Sequence, residues 1–191
     1  MKLFIYIALT CILACAFSQG LKILINARLN KIKPSIKLIF SDGDYPSSHT
    51  SFICALTTLS WLYTLDKYIT MGESTYEMWI SVVLSALMVV IIRDAIGVRY
   101  TVQKLCESVS SITMLVNNPS NKNHLARIRE QLNLKSGHRP YEIFGGIING
   151  ILVALFTSTI YYEWYPLITA VVVLYSIYII LSMWFVKKKR G

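Results

Sequence analysis

The chain predicts an all-α fold: a polytopic membrane bundle of about five transmembrane helices, with amphipathic helices on its cytoplasmic side. Three observations carry this. Hydrophobic residues fill 54% of the 191 positions and charged ones only 15%, and mean hydropathy is +0.52, too apolar for a soluble domain of this size. Five apolar segments stand out, at about 3–25, 50–66, 76–93, 143–161 and 166–186. Basic residues crowd alternate loops, the pattern that positive-inside sorting imposes on a membrane chain.

The first segment, LFIYIALTCILACAF after Lys2, has the form of a signal-peptide core, and ILAC at 12–15 resembles a lipoprotein box. Apolar character resumes in LKILI beyond Gln19 and Gly20, so a retained helix with a lysine near its end is the preferred reading. The second and third segments fall short of the roughly 20 residues that cross a bilayer. The last two reach that length. Residues 167–186 carry no charge, and Trp164 and Trp184 suit the two interfaces. Arg28, Lys31, Lys33 and Lys37 follow the first segment, and Arg99 to Arg139 supply a second basic loop. The tail ends in Lys187, Lys188, Lys189 and Arg190. The intervening loops hold Asp66, Lys67, Glu73 and Glu77, and then Glu163. Five spans with the N-terminus outside place every basic loop in the cytoplasm.

The loop at 94–142 is too long to lack structure. YTVQKLCESVSSITMLV forms one amphipathic helix; NKNHLARIREQLNL forms another, with Leu125, Ile128 and Leu132 on one face, and Pro119 divides them. A packed cytoplasmic cap is preferred to a lipid sensor. The net charge of +9 reads as loop charge, so no nucleic-acid partner is expected. Cys11, Cys15, Cys54 and Cys106 lack metal or disulfide spacing and read as small core residues. Gly146 and Gly150 form a GxxxG that packs within the protomer or, alternatively, joins a homodimer. His124 reads as solvated. The final KKRG reads as a charge anchor, or as a dilysine retrieval signal in a eukaryotic endoplasmic reticulum.

Four polar clusters fall at the cytoplasmic ends of the spans: Lys22 and Arg28; Pro46, Ser47, Ser48 and His49; Arg93, Asp94 and Arg99; and Gly137, His138, Arg139, Pro140, Tyr141 and Glu142. Ionisable groups near membrane depth are costly and mark sites. Ser47 or Ser48 caps the helix beginning near residue 50, whose free N–H groups attract an anion. His49 there can protonate a leaving oxygen. Lys22, Arg28, Arg93, Arg99 and Arg139 can neutralise phosphate charge. His138 and Glu142, four apart, share a face on a helical turn, and the carboxylate would leave the far ring nitrogen nucleophilic. Two histidines among phosphate binders indicate phosphoryl transfer through a phosphohistidine.

QGLK (Gln19 to Lys22), YPSSHTS (Tyr45 to Ser51), RDAIGVR (Arg93 to Arg99) and GHRPYEIFGG (Gly137 to Gly146) resemble the divergent PAP2 family. That group is related to type 2 phosphatidic acid phosphatases and vanadium-dependent haloperoxidases. The resemblance spans most of the chain and implies one PAP2-like integral membrane domain over residues 1–191. It implies that His138 is the nucleophile, Glu142 its orienter and His49 the acid. Ser48 stands where the broader superfamily has Gly, and Glu142 where it has Asp. No Pro follows Arg28, and Lys135 stands where an Arg before His138 is expected. Asp94 has no counterpart; it orients an arginine or, alternatively, binds a divalent ion such as magnesium with Asp42 or Asp44. The superfamily's phosphatases need no metal, so no cofactor and no metal ligand are expected.

The expected function is a lipid phosphate phosphatase at the cytoplasmic face of the cell membrane. Phosphatidylglycerophosphate or phosphatidic acid is the favoured substrate, and polyprenyl phosphates or diphosphates come next. The alternative is a non-enzymatic lipid phosphate binder or transporter. A haloperoxidase fits a small membrane bundle poorly.

Overall fold

The structure, a computed structural model, describes residues 2–30, 45–97, 101–102, 104–106, 108–109 and 139–190. It contains five long helices: α1 (Lys2–Asn30), α2 (Ser48–Met71), α3 (Thr75–Ile96), α4 (Pro140–Tyr161) and α5 (Tyr165–Arg190). No strand occurs among the described residues, and the all-α bundle is as expected. Of the amphipathic helices expected in the long loop, the described residues between 101 and 109 are helical, and the remainder lies outside the described residues.

Among the described residues, four helices, α1, α3, α4 and α5, are long and apolar enough to cross a membrane. The expected second span is the exception. At 24 residues α2 reaches about 36 Å, ample for a bilayer. Its sequence is too polar, with Ser48, His49, Thr50, Ser51, Thr57, Ser60 and Thr64 along it. The bundle solves this by enclosing α2 between α1, α3 and α4. Thr57 Oγ1 donates to Ile53 O (2.8 Å), and Ser60 and Thr64 share the Ser81 hydroxyl of α3 at 2.6 and 2.8 Å. Hydroxyls that would be costly in lipid are satisfied by the helix's own backbone or by a neighbouring helix. Ser81 is the buried residue of α3, which otherwise turns Val82, Val83, Leu87, Val89 and Val90 outward.

The helices alternate in direction. Tyr6 bonds Ser158 (2.8 Å) and Thr10 donates to Thr157 (3.0 Å), so the start of α1 meets the end of α4. Ser18 donates to Pro46 O (3.1 Å), so the far part of α1 meets the approach to α2. The Cys54 thiol lies 3.6 Å from Met88 Sδ, which runs α3 back along α2. Hence α2 and α4 begin at the same end at which α1, α3 and α5 finish. α1 is one continuous helix through Gln19, Gly20 and LKILI.

Helix ends extend past the apolar runs. Ser47 caps α2 in extended conformation, its hydroxyl accepting Thr50 N–H at 3.4 Å. The other end of α2 passes Asp66 and Lys67 and stops at Gly72, left-handed at φ 75°, whose N–H reaches Tyr68 O. Pro140 occupies the first turn of α4, where its missing N–H costs nothing.

α2 and α4 pack backbone to backbone. A Cβ on Gly146 would lie 2.5 Å from Ser47 O and 2.9 Å from Thr50 Cβ; one on Gly150 would strike Ser51 O and sit 2.9 Å from Cys54 Cβ. The GxxxG therefore packs inside the protomer, the first of its two expected uses. Ala14, Ala55, Leu59, Val153 and Ala154 form the small-residue core where α1, α2 and α4 meet.

Candidate functional site

The Tyr45–His49 stretch is gripped from three sides. The Tyr45 hydroxyl bonds Ser182 of α5 at 2.8 Å, and its ring lies over Gly145, where a Cβ would collide. The Tyr45–Pro46 peptide is cis. Ser18 of α1 bonds Pro46 O, and the Cys15 thiol reaches Ser48 O at 3.9 Å. Ser47 N–H donates to Glu142 O of α4 at 2.8 Å. That last bond ties the starts of α2 and α4 together. Two sets of first-turn N–H groups, which lack intrahelical acceptors, thus meet at one end of the bundle.

The expected site residues fall as follows. Ser47 and Ser48 are buried at the start of α2, while His49 is exposed on its first turn. Glu142 is 2% exposed, and its Oε2 accepts Arg139 N–H at 3.0 Å, closing the α4 cap. Arg139 is exposed, its Nη1 3.5 Å from the Tyr141 hydroxyl. α4 begins at Pro140, and Arg139 is extended at φ −70°, ψ 147°. The expected pairing of His138 with Glu142 on one helical face involves a residue outside the described ones. His138 and Arg99 lie outside the described residues, as do Asp42, Asp44 and His124.

Lys22 and Arg28 part company. Both lie within α1, six residues apart, or about 120° around the helix. Lys22 is 3% exposed and within electrostatic reach of Cys15; Arg28 is exposed. Arg93 and Asp94 end α3 at the same bundle end, Arg93 exposed and Asp94 half-buried. No cluster of three potential metal ligands occurs among the described residues.

Among the polar residues of α1, the sequence pattern gave no role to Ser18 and Asn26 and took Gln19 only as part of QGLK. Ser18 and Asn26 are buried, and Gln19 has a buried Oε1 without a hydrogen-bond partner. With Cys15 and Lys22 they form a stripe spaced three or four apart, and that spacing is the signal that marks them. Ser48 Oγ is likewise buried and without a partner.

Charge is uneven between the two ends among the described residues. Arg28, Arg93, Arg139, Lys187 and Lys188 gather where α2 and α4 begin, with Asp94 and Glu142; Asp66, Glu73, Glu77 and Glu163 sit at the opposite end with Lys2 and Lys67.

A groove of about 390 Å³ runs between α4 and α5, walled by Tyr45, Tyr141, Phe144, Ile148, Tyr178 and Phe185. Tyr45 and Tyr141 stack with ring centroids 6.1 Å apart at its polar end. They directly precede Pro46 and Glu142 in sequence.

Against known proteins, the model of the divergent PAP2 family matches residues 5–153, and the chain belongs to that family. No curated protein and no solved structure matches it.

Proposed function

We propose, from that membership as premise, that the chain is a lipid phosphate phosphatase working through a phosphohistidine at the cytoplasmic membrane face. The observation that carries this reading is the Ser47 N–H bond to Glu142 O, which joins PSSH to the helix that follows GHR. His138 attacks phosphorus, the bond to the lipid alcohol breaks, and His49 gives that alcohol its proton. Water then attacks the phosphohistidine and releases inorganic phosphate. Glu142 orients His138. The start of α2 with Ser47 and Ser48, together with Lys22, Arg28, Arg93, Arg99 and Arg139, holds the phosphoryl oxygens. Buried Lys22 is the stronger binder of the first pair, because its charge is unscreened by water. Asp94 orients an arginine, and no metal takes part.

The positive end of the bundle supports the cytoplasmic placement. Substrates made on that side follow: phosphatidylglycerophosphate or phosphatidic acid, then polyprenyl phosphates. The α4–α5 groove supports a lipid rather than a soluble ester, since it opens beside the site and is walled by aromatic and aliphatic side chains. Lipid tails are already in an apolar medium, so the groove supplies positioning and packing, not hydrophobic transfer. Filling it with Ile148→Trp is expected to lower kcat/KM for a long-chain lipid phosphate roughly threefold, and to leave a short-chain ester unchanged. Equal losses on both would remove the groove from the reading.

Glu142 spends Oε2 on the cap, and this favours a second reading, a binder or transporter that holds a lipid phosphate without cleaving it. One assay separates the two: phosphate release from a panel of lipid phosphates, with EDTA or magnesium, by wild type and His138→Ala. Release that survives EDTA and disappears in the variant supports the phosphohistidine. Release only with magnesium moves the chemistry to Asp94. Binding without release leaves the binder.

A further inference from the structure

The seam between α1 and the start of α2 holds two buried polar atoms with no partner, Ser48 Oγ and Gln19 Oε1. Ser48 is 8% exposed and is the first residue of a 24-residue helix. Gln19 follows Ser18, which bonds Pro46 O, and lies one turn beyond Cys15, whose thiol reaches Ser48 O. The two residues therefore border the same short stretch of seam. Lys22, one turn further along α1, is buried beside it.

A buried polar atom without a partner is destabilising, so such a pair marks where a ligand supplies the missing bonds. The two atoms differ in what they need. Ser48 can donate, and the helix start behind it favours an anion. A carboxamide oxygen only accepts. With an anion-favouring helix start behind Ser48, one ligand that satisfies both is an anion that also carries a proton. A phosphate monoester has one in its monoanion, with a second pKa of about 6. A phosphodiester has none, nor has sulfate, and either would set bare oxygens against Gln19 Oε1.

We propose that Gln19 is a specificity residue: its Oε1 accepts a hydrogen bond from the P–OH of a singly protonated terminal phosphate, while Ser48 and the α2 start donate to the other oxygens. This rests on the phosphate-site reading above and narrows its substrates to terminal monoesters. It acts through binding alone, so it is testable without turnover.

The test is calorimetric binding of inorganic phosphate and of sulfate, at pH 6, to the full-length protein in nanodiscs. Wild type is expected to bind phosphate about tenfold or more tightly than sulfate, the effect of one hydrogen bond to a charged partner. Gln19→Leu should bring the two within about twofold, mainly by weakening phosphate. Gln19→Glu, which keeps an acceptor, should retain the preference, and Ser48→Ala should weaken both anions alike. Matching far-ultraviolet circular dichroism and Tm among the variants exclude misfolding as the cause. Equal binding of both anions by wild type, or a preference that survives Gln19→Leu, overturns the proposal while leaving the phosphate site standing. If neither anion binds, the proposal and the phosphate-site reading fall together.

Discussion

Gly150→Ala is expected to lower the stability of the bundle by about 1–3 kcal/mol, and Gly146→Ala by a similar amount. Two effects oppose each other. Alanine is the better helix former by about 1 kcal/mol, which favours the variant. Against it, the new methyl would press on Ser51 O and Ala55 N at one site and on Ser47 O at the other. These are backbone atoms, and no rotamer change moves them aside. α2 and α4 must separate, and every contact along the seam loosens. The collision should therefore win. Gly20→Ala is the control, because a Cβ there meets nothing within 4 Å. Unfolding in mixed detergent and SDS micelles reads all three. Wild-type stability in Gly150→Ala would mean that the helices do not approach this closely. Gly146→Ala should also impair anion binding, since it displaces the residue that caps α2.

Asn149→Asp is expected to cost more than either glycine change at neutral pH. Asn149 is fully buried, and its amide joins four helices. Its Nδ2 donates to Ala14 O (3.0 Å) and to Ser51 Oγ (2.6 Å), and its Oδ1 accepts from Tyr175 Oη (2.7 Å). Ser51 in turn donates to Ala14 O at 3.1 Å. Every polar group in this node has a partner, which makes it stabilising. Aspartate would place a bare oxygen against Ala14 O and bury a charge. Asn149→Leu, uncharged but unable to bond, should cost about 1–3 kcal/mol, and Asn149→Asp more than that. Unfolding in mixed detergent and SDS micelles at neutral pH reads both. Wild-type stability in Asn149→Asp would show that water reaches the node.

Most of the bundle is legible in the sequence because lipid is a strict solvent. It leaves long apolar runs, and those runs located all five helices. Their ends are less legible. Asp66 and Lys67 look like the end of a span, yet the helix continues to Gly72, because charged residues beyond the apolar layer break no backbone hydrogen bond. The cap at Ser47 could be read directly, since serine after proline marks a helix start. The polar clusters were legible as clusters, but not in their orientation. Nothing in the spacing of Lys22 and Arg28 says which one turns inward until the packing face of α1 is known. Gln19 entered only as part of QGLK, and Asn149 was missed, for a common reason: one amide inside an apolar run disappears into the average. Asn149 also sits between the two glycines, where attention goes to close packing and not to what that packing encloses.

The polarity of α2 also bears on how the chain is made. The helix least able to enter lipid unaided is synthesised second. α4, with which it shares its longest contact, follows only after some seventy further residues have been added. Until then Ser47 N–H lacks Glu142 O, and Ser51 lacks Asn149. During that interval α1 and α3 shield only part of α2, and water or the insertion machinery must satisfy the rest. The arrival of α4 is thus the step that encloses α2. Joining the two helix starts of the site and burying the polar face of α2 become one event.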